Sequence, residues 1–212
     1  GSFAPFDADK LQQMMDREIE LITAAGKNGK LSLSHAGRIQ ELLQHTQGSS
    51  VTGNARELFH KLSSIDEIEA TKKPRNLKAT LRPYQESGLS WLKFIHEIGS
   101  GGVLADDMGL GKTVQTIALL LAVKQEEKKI RVLIVAPTSV VTNWERELAR
   151  FSPTLSVALW HGADRKDQID VVKESEVIIT SYALLRRDEE FLATLDLTYA
   201  TLDEAQHIKI PQ

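Results

Sequence analysis

Between residues 102 and 202, five short and almost wholly apolar runs alternate with stretches of helical periodicity. The runs cover residues 102–105, 131–136, 155–160, 177–180 and 197–202, and the helical stretches between them cover 112–126, 139–151 and 165–174. A strand solvated on one face alternates apolar and polar residues, whereas a strand buried on both faces reads as a continuous apolar run. The pattern therefore predicts a parallel sheet with helices on both faces, each helix serving as a crossover. In such sheets ligands bind beyond the carboxyl ends of the strands. A further helix is expected over 83–97, with Pro83 in its first turn, where a missing N–H costs little.

The chain has 212 residues, with 42% hydrophobic and 26% charged. That composition is enough to bury a sizeable core. A net charge of −3 gives no chain-wide basic balance, so any case for nucleic acid has to rest on local motifs. There is no cysteine, which excludes disulfides and thiolate metal sites. The histidines, among them His161 and His207, fall at no metal-ligand spacing. No apolar run approaches the ~20 residues of a membrane span, so no membrane partner is expected. Gly1-Ser2 reads as a cloning remnant and the stop at Gln212 as a truncation.

Ahead of the alternating region the texture is helical. Leu11, Met14, Met15, Ile19 and Ile22 form an apolar stripe at helical spacing, and Gly26-Lys27-Asn28-Gly29 ends it. Two more short helices are expected through Ile39, Leu42 and Leu43 and through Leu58 and Leu62. The organisation is then a helical subdomain over 1–70, a basic solvated linker over 71–80 carrying Lys72, Lys73, Arg75 and Lys78, and an α/β lobe over 81–212.

Asp106-Asp107-Met108-Gly109-Leu110-Gly111-Lys112-Thr113 lies between the first apolar run and a helix. A phosphate loop needs glycines to let the backbone aim its N–H groups at an anion, a lysine for the outer phosphates and a hydroxyl for magnesium. The following helix adds the positive end of its dipole. Gly109, Gly111, Lys112 and Thr113 supply these groups. The usual pattern opens with glycine where this chain has Asp106, so one position departs, and an ordinary Gly-rich turn is the competing reading.

Ala200-Thr201-Leu202-Asp203-Glu204-Ala205-Gln206 ends the last apolar run in two acids. A lone Asp-Glu at a strand end is commonly a solvated turn. Alongside a phosphate loop, the first acid holds magnesium and the second orients and activates the attacking water. That division of labour needs the two stretches close in space, and the last strand is expected beside the 102–105 strand.

Taken in order, these stretches resemble the Swi/Snf-type ATPases of helicase superfamily two. Leu81-Arg82-Pro83-Tyr84-Gln85 resembles the family's adenine-reading motif, and Asp106 to Thr113 its motif I, in which an acid commonly replaces the first glycine. Ala136-Pro137-Thr138-Ser139 with Asn143-Trp144 and Glu147 resembles motif Ia, and Thr180-Ser181-Tyr182 with Leu184-Leu185 the motif after the fourth strand. Asp203-Glu204-Ala205-Gln206 with Ile208-Lys209 resembles motif II in its bacterial form, with Ile210 standing where the family usually has asparagine.

The resemblance implies a RecA-like fold, with ATP held between this lobe and a second one. It implies Arg82, Gln85, Asp107, Met108, Gly109, Leu110, Gly111, Lys112 and Thr113 around ATP, with Gln85 on adenine. Thr113 and Asp203 would hold Mg2+, and Glu204 would act as catalytic base with Lys112 on the β- and γ-phosphates. Thr138, Ser139, Asn143, Thr180, Ser181 and Tyr182 would touch the backbone of double-stranded DNA. The partners implied are duplex DNA, the second RecA-like lobe with its arginine fingers and a DNA-bound protein such as a polymerase, in the bacterial cytoplasm. Without the second lobe, the chain is expected to bind nucleotide weakly and hydrolyse it negligibly. Three alternatives compete: a strand-separating helicase of the same superfamily, a small-molecule kinase, and a non-enzymatic interaction module, for which residues 3–70 are the candidate. Trp91, Trp144 and Trp160 are expected in the core, Trp144 with some room for a role near DNA.

Overall fold

Four strands, β1 (Val132–Ala136), β2 (Val157–Trp160), β3 (Val177–Ser181) and β4 (Tyr199–Leu202), pair in parallel in the order β2-β3-β1-β4. The computed structural model describes residues 68–107 and 109–208. The helices expected before residue 67, Met108 and Ile210 lie outside the described residues. Helices α1 (Pro83–Glu97), α2 (Lys112–Glu127), α3 (Val141–Phe151), α4 (Ile169–Glu174), α5 (Tyr182–Arg187) and α6 (Glu189–Leu192) surround the sheet.

The apolar runs divide their side chains between two cores, as the period of a strand requires. Val132, Ile134 and Ala136 of β1 and Val177 and Ile179 of β3 join Leu89 of α1, Ile117 and Leu120 of α2, and Trp144 and Leu148 of α3. Leu133, Val135 and Ile178 point the other way and join Trp160, Val172 of α4 and Leu192 of α6. Full burial of a side chain such as Ile134 or Ile179 is worth about 1.5–3 kcal/mol before the entropy of ordering is subtracted. The RecA-like parallel sheet with helices on both faces is thus the observed architecture.

Two expectations fail. Residues 102–105 form no strand, and β4 lies beside β1, with Val132 opposite Tyr199 and Val135 opposite Leu202. β1 is flanked by β3 and β4, residues 102–105 pair with none of the four strands, and Val103 is 82% exposed. The segment touches the lobe through Gly102, where a Cβ would lie 2.9 Å from the Trp91 ring. The second failure is the solvated linker. Leu77 and Leu81 are buried in the core, the Lys78 N–H donates to the Phe151 carbonyl at 2.7 Å, and the Thr71 N–H to Ser90 Oγ at 2.9 Å. Its cations do face water, but Leu77 and these backbone bonds make the segment part of the lobe.

Beyond β2, the expected helix divides into a 3-10 turn (Asp164–Gln168) and α4. Arg165 in that turn is buried against Asp188, between α5 and α6. Its Nε–H and one terminal N–H reach the two oxygens of Asp188 at 2.6 and 3.0 Å, and the Trp160 indole N–H donates to Oδ2 at 2.9 Å. Forked geometry of this kind is the strong form of the ion pair. The Arg165 guanidinium, seconded by the Trp160 N–H, holds the Asp188 carboxyl below its ordinary value. A carboxyl lowered on folding stabilises above its unfolded pKa of ~3.9, and that contribution is lost as pH falls through the lower folded value. Asp188→Asn is therefore expected to lower the melting temperature at pH 7, and the gap to the parent chain narrows below about pH 4 in melts followed by circular dichroism.

Candidate nucleotide site

The phosphate loop is shaped by two left-handed glycines and tied to α1. Gly109 has φ 85° and Gly111, which caps α2, has φ 82°. A Cβ on Gly111 would lie 2.5 Å from Gln85 Nε2 and 3.1 Å from Val114 Cγ1. Both backbone and space therefore demand glycine there. A Cβ on Gly109 would meet nothing within 4 Å among the described residues, so the loop is open on that side. The Leu110 carbonyl accepts from Gln85 Nε2 at 3.0 Å and from the Tyr84 hydroxyl at 3.1 Å. Gln85 Oε1 accepts from the Arg82 N–H at 2.9 Å, the reciprocal half of a capping box at the start of α1. Gln85, only 7% exposed, thus braces the loop with one end of its amide and its own helix with the other.

Asp106, where the usual pattern has glycine, receives an N–H from Gln115 Nε2 at 2.9 Å. Gln115 is 1% exposed and lies against α1 at Gly88, where a Cβ would fall 2.0 Å from Gln115 Oε1. The acid is therefore a structural anchor for the start of the loop. Lys112 Nζ donates to the carbonyls of Asp106 and Asp107 at 2.7 and 3.2 Å. Both are neutral acceptors. A phosphate oxygen makes a bond roughly twice as strong with an ammonium, so an arriving phosphate can draw the side chain off them.

The acid pair follows β4 directly. The Asp203 N–H donates to the Val135 carbonyl at 2.8 Å and extends the β1–β4 ladder by one residue. Its Oδ1 accepts from the Glu204 N–H at 3.0 Å, and its Oδ2 from the Trp144 indole N–H at 2.7 Å. The Tyr182 hydroxyl donates to the Asp203 carbonyl at 2.8 Å. Burial, then the carboxylates of Asp203 and Glu204, hold the Tyr182 phenol above its ordinary value. The Glu204 backbone is left-handed, with φ 50 and ψ 50. That conformation costs a non-glycine residue roughly 1–2 kcal/mol. Its carboxylate is further bonded by the Gln206 side-chain amide.

Thr113, Lys112 and Asp203 supply the hydroxyl, ammonium and carboxylate that a magnesium–triphosphate requires, and the glycines leave backbone N–H groups at the N-terminus of α2. The residues present therefore fit ATP and Mg2+. Among the described residues no hydrogen bond joins the loop to the acid pair. The loop is fixed to α1, the acids to α3 and α5, and α2 and α3 share one core beneath them.

The residues expected to meet DNA separate into two groups. Thr138 and Ser139, in the turn after β1, and Asn143 on α3 are exposed. Thr180 is fully buried, its hydroxyl donating to the Trp160 carbonyl at 3.0 Å. Ser181 is 2% exposed, and its Oγ accepts from the Leu184 N–H to cap α5. Neither offers surface to a strand, because both end a central strand of the sheet. Tyr182 is half-buried and spends its hydroxyl on Asp203. Sequence reasoning missed the role of Gln115, although a lone amide inside the mostly apolar run Val114–Val123 of α2 was a usable signal. It placed Trp144 in the core correctly but not its bond to Asp203.

Comparison with known proteins agrees with this geometry. The family described as SNF2-related domain matches residues 84–212. The chain is 46% identical over 158 residues to the protein YwqA of Bacillus subtilis, covering 73% of this chain and 17% of that one. It is 38% identical to the chromatin-remodeling ATPase INO80 of Arabidopsis thaliana, across 76% of this chain and 11% of that one. Among solved structures, the Sulfolobus solfataricus SWI2/SNF2 ATPase core in complex with double-stranded DNA superposes with a TM-score of 0.63 and 44% identity, over 68% of this chain and 30% of that one. The chain thus spans only a small part of these relatives.

Gly111→Ala is expected to weaken binding of a fluorescent ATP analogue about tenfold or more, because it meets both the left-handed penalty and the Gln85 amide. Gly109→Ala, strained but unobstructed, is expected to lose less; fluorescence titration of the two variants checks the order.

Proposed function

The chain belongs to the SNF2-related domain family, and on that premise we propose that it is the first ATP-binding lobe of a motor that translocates on double-stranded DNA. The observation that carries the reading is that one α/β lobe holds both a glycine-shaped loop at the N-terminus of α2 and an acid pair at the carboxyl end of β4. In this reading the loop N–H groups and Lys112 hold the phosphates, and Lys112 exchanges the carbonyls of Asp106 and Asp107 for the β- and γ-phosphate oxygens. Gln85 meets adenine beside the loop by giving up its bond to the Leu110 carbonyl or to the Arg82 N–H, with Arg82 at the start of the same helix. Thr113 and Asp203 hold magnesium, which when bound neutralises charge on the phosphates. Glu204 takes the proton of the attacking water.

Thr138, Ser139 and Asn143, exposed after β1 and on α3, form the strip that meets the phosphate backbone of duplex DNA; that the partner is duplex DNA is supported by the Sulfolobus core's complex with double-stranded DNA. The second lobe contributes the arginine that a phosphoryl transfer of this kind uses, worth ~10³–10⁵ in rate, so the 212-residue chain alone turns over ATP negligibly. A DNA partner is met inside the cell, and among the described residues no helix is long and apolar enough to cross a membrane.

The test is ATP hydrolysis by the full-length protein with and without duplex DNA. Duplex DNA is expected to stimulate hydrolysis, with a stimulation that falls steeply with salt. Glu204→Gln is expected to abolish hydrolysis while retaining ATP binding. Asn143→Ala is expected to weaken the DNA stimulation and leave the basal rate unchanged. Stimulation by single strands alone, together with strand displacement, would instead make the protein a strand-separating helicase.

A further inference from the structure

Reading Asp203 as the magnesium acid leaves open what aims it. A carboxylate in an exposed turn samples several rotamers, yet every polar group of Asp203 is engaged from this chain. The main-chain N–H continues the ladder to Val135, Oδ1 takes the Glu204 N–H at 3.0 Å, Oδ2 takes the Trp144 indole N–H at 2.7 Å, and the carbonyl takes the Tyr182 hydroxyl at 2.8 Å. Trp144 is 3% exposed and packed in the core that α2, α3 and β1 share. Its indole therefore has no freedom to follow the carboxylate; the carboxylate follows the indole. The N–H meets the one oxygen that the Glu204 backbone does not take. Tyr182 holds the carbonyl that leads into Glu204, whose left-handed backbone needs an outside restraint to persist.

We infer that Trp144 and Tyr182 are positioning residues that aim the Asp203–Glu204 pair, Trp144 by fixing the carboxylate rotamer and Tyr182 by fixing the turn; the inference rests on the reading that Asp203 holds magnesium. They act through Asp203, as an outer shell acts on a metal ligand. Each oxygen of Asp203 keeps lone-pair capacity beyond its single N–H partner, so the restraint leaves the acid able to bind a cation. Helix α3 shows Asn143 to solvent and Trp144 to Asp203, so the contact ties this acid to the helix that carries part of the proposed DNA strip.

Two measurements test this. In the 15N-labelled chain, which has three tryptophans, the indole N–H resonance absent from Trp144→Phe belongs to Trp144. Asp203→Ala is expected to shift that resonance and leave those of Trp91 and Trp160 in place. An unmoved Trp144 resonance overturns the inference. In the full-length protein, Mn2+ binding in the presence of a non-hydrolysable ATP analogue is followed by electron paramagnetic resonance. Asp203→Ala is expected to lose the ion, and Trp144→Phe and Tyr182→Phe to bind it about 10-fold more weakly with melting temperatures near the parent's. Tyr182→Phe removes a single oxygen and gives the answer if Trp144→Phe fails to fold. If Asp203→Ala binds Mn2+ like the parent, the magnesium reading fails and the inference with it. If Asp203→Ala loses Mn2+ while Trp144→Phe and Tyr182→Phe both bind like the parent, the magnesium reading stands and the inference alone falls.

Discussion

The extension of the β1–β4 ladder at Val135 sets the geometry on which the site depends. Its carbonyl takes the Asp203 N–H, so the acid turn begins level with the end of β1. The same strand runs on into Pro137 and Thr138, the turn that opens α3, and α3 returns Trp144 to Asp203. One parallel pairing therefore brings the acids to the helix that anchors them. A register shift of a single residue would turn Val135 and Leu133 from one core to the other and separate these groups.

The phosphate loop depends on a second set of contacts, all from α1 and α2. Gln85 braces Leu110, and Gln115 braces Asp106 through the space left at Gly88. Two buried amides and two glycines thus shape the path of the loop, and Lys112 bonds the carbonyls of Asp106 and Asp107 from within. A pre-shaped loop binds an anion without first ordering its backbone, which is the advantage of preorganisation. Gln85 joins the start of α1 to the loop by direct contact, so the two form one connected structure.

Much of this was legible in the sequence. The continuous apolar runs gave β1 to β4 and the two-faced sheet, and the Gly-x-Gly-Lys-Thr spacing gave the loop at the start of α2. What failed is physical in origin. Residues 102–105 are as apolar as a strand, but a strand also has to pair with a neighbour, and apolar composition says nothing about whether it does. Lys72, Lys73, Arg75 and Lys78 marked residues 71–80 as solvated, while Leu77, between those cations, was the residue that decides its place. Thr180 and Ser181 carry hydroxyls suited to a phosphate, but they end a central strand, where such groups are spent inside. The bonds from Trp144 to Asp203, 59 residues apart, and from Tyr182, 21 residues apart, are long-range and leave no periodic trace.

The central claim is that Gly109 to Thr113 form a working phosphate site. It is tested most directly by titrating a fluorescent ATP analogue with magnesium into the parent chain and into Lys112→Ala. Saturable binding by the parent that is lost in the variant is the predicted result. Binding that is equal in both, or missing from both, would contradict the claim that this loop is a formed site.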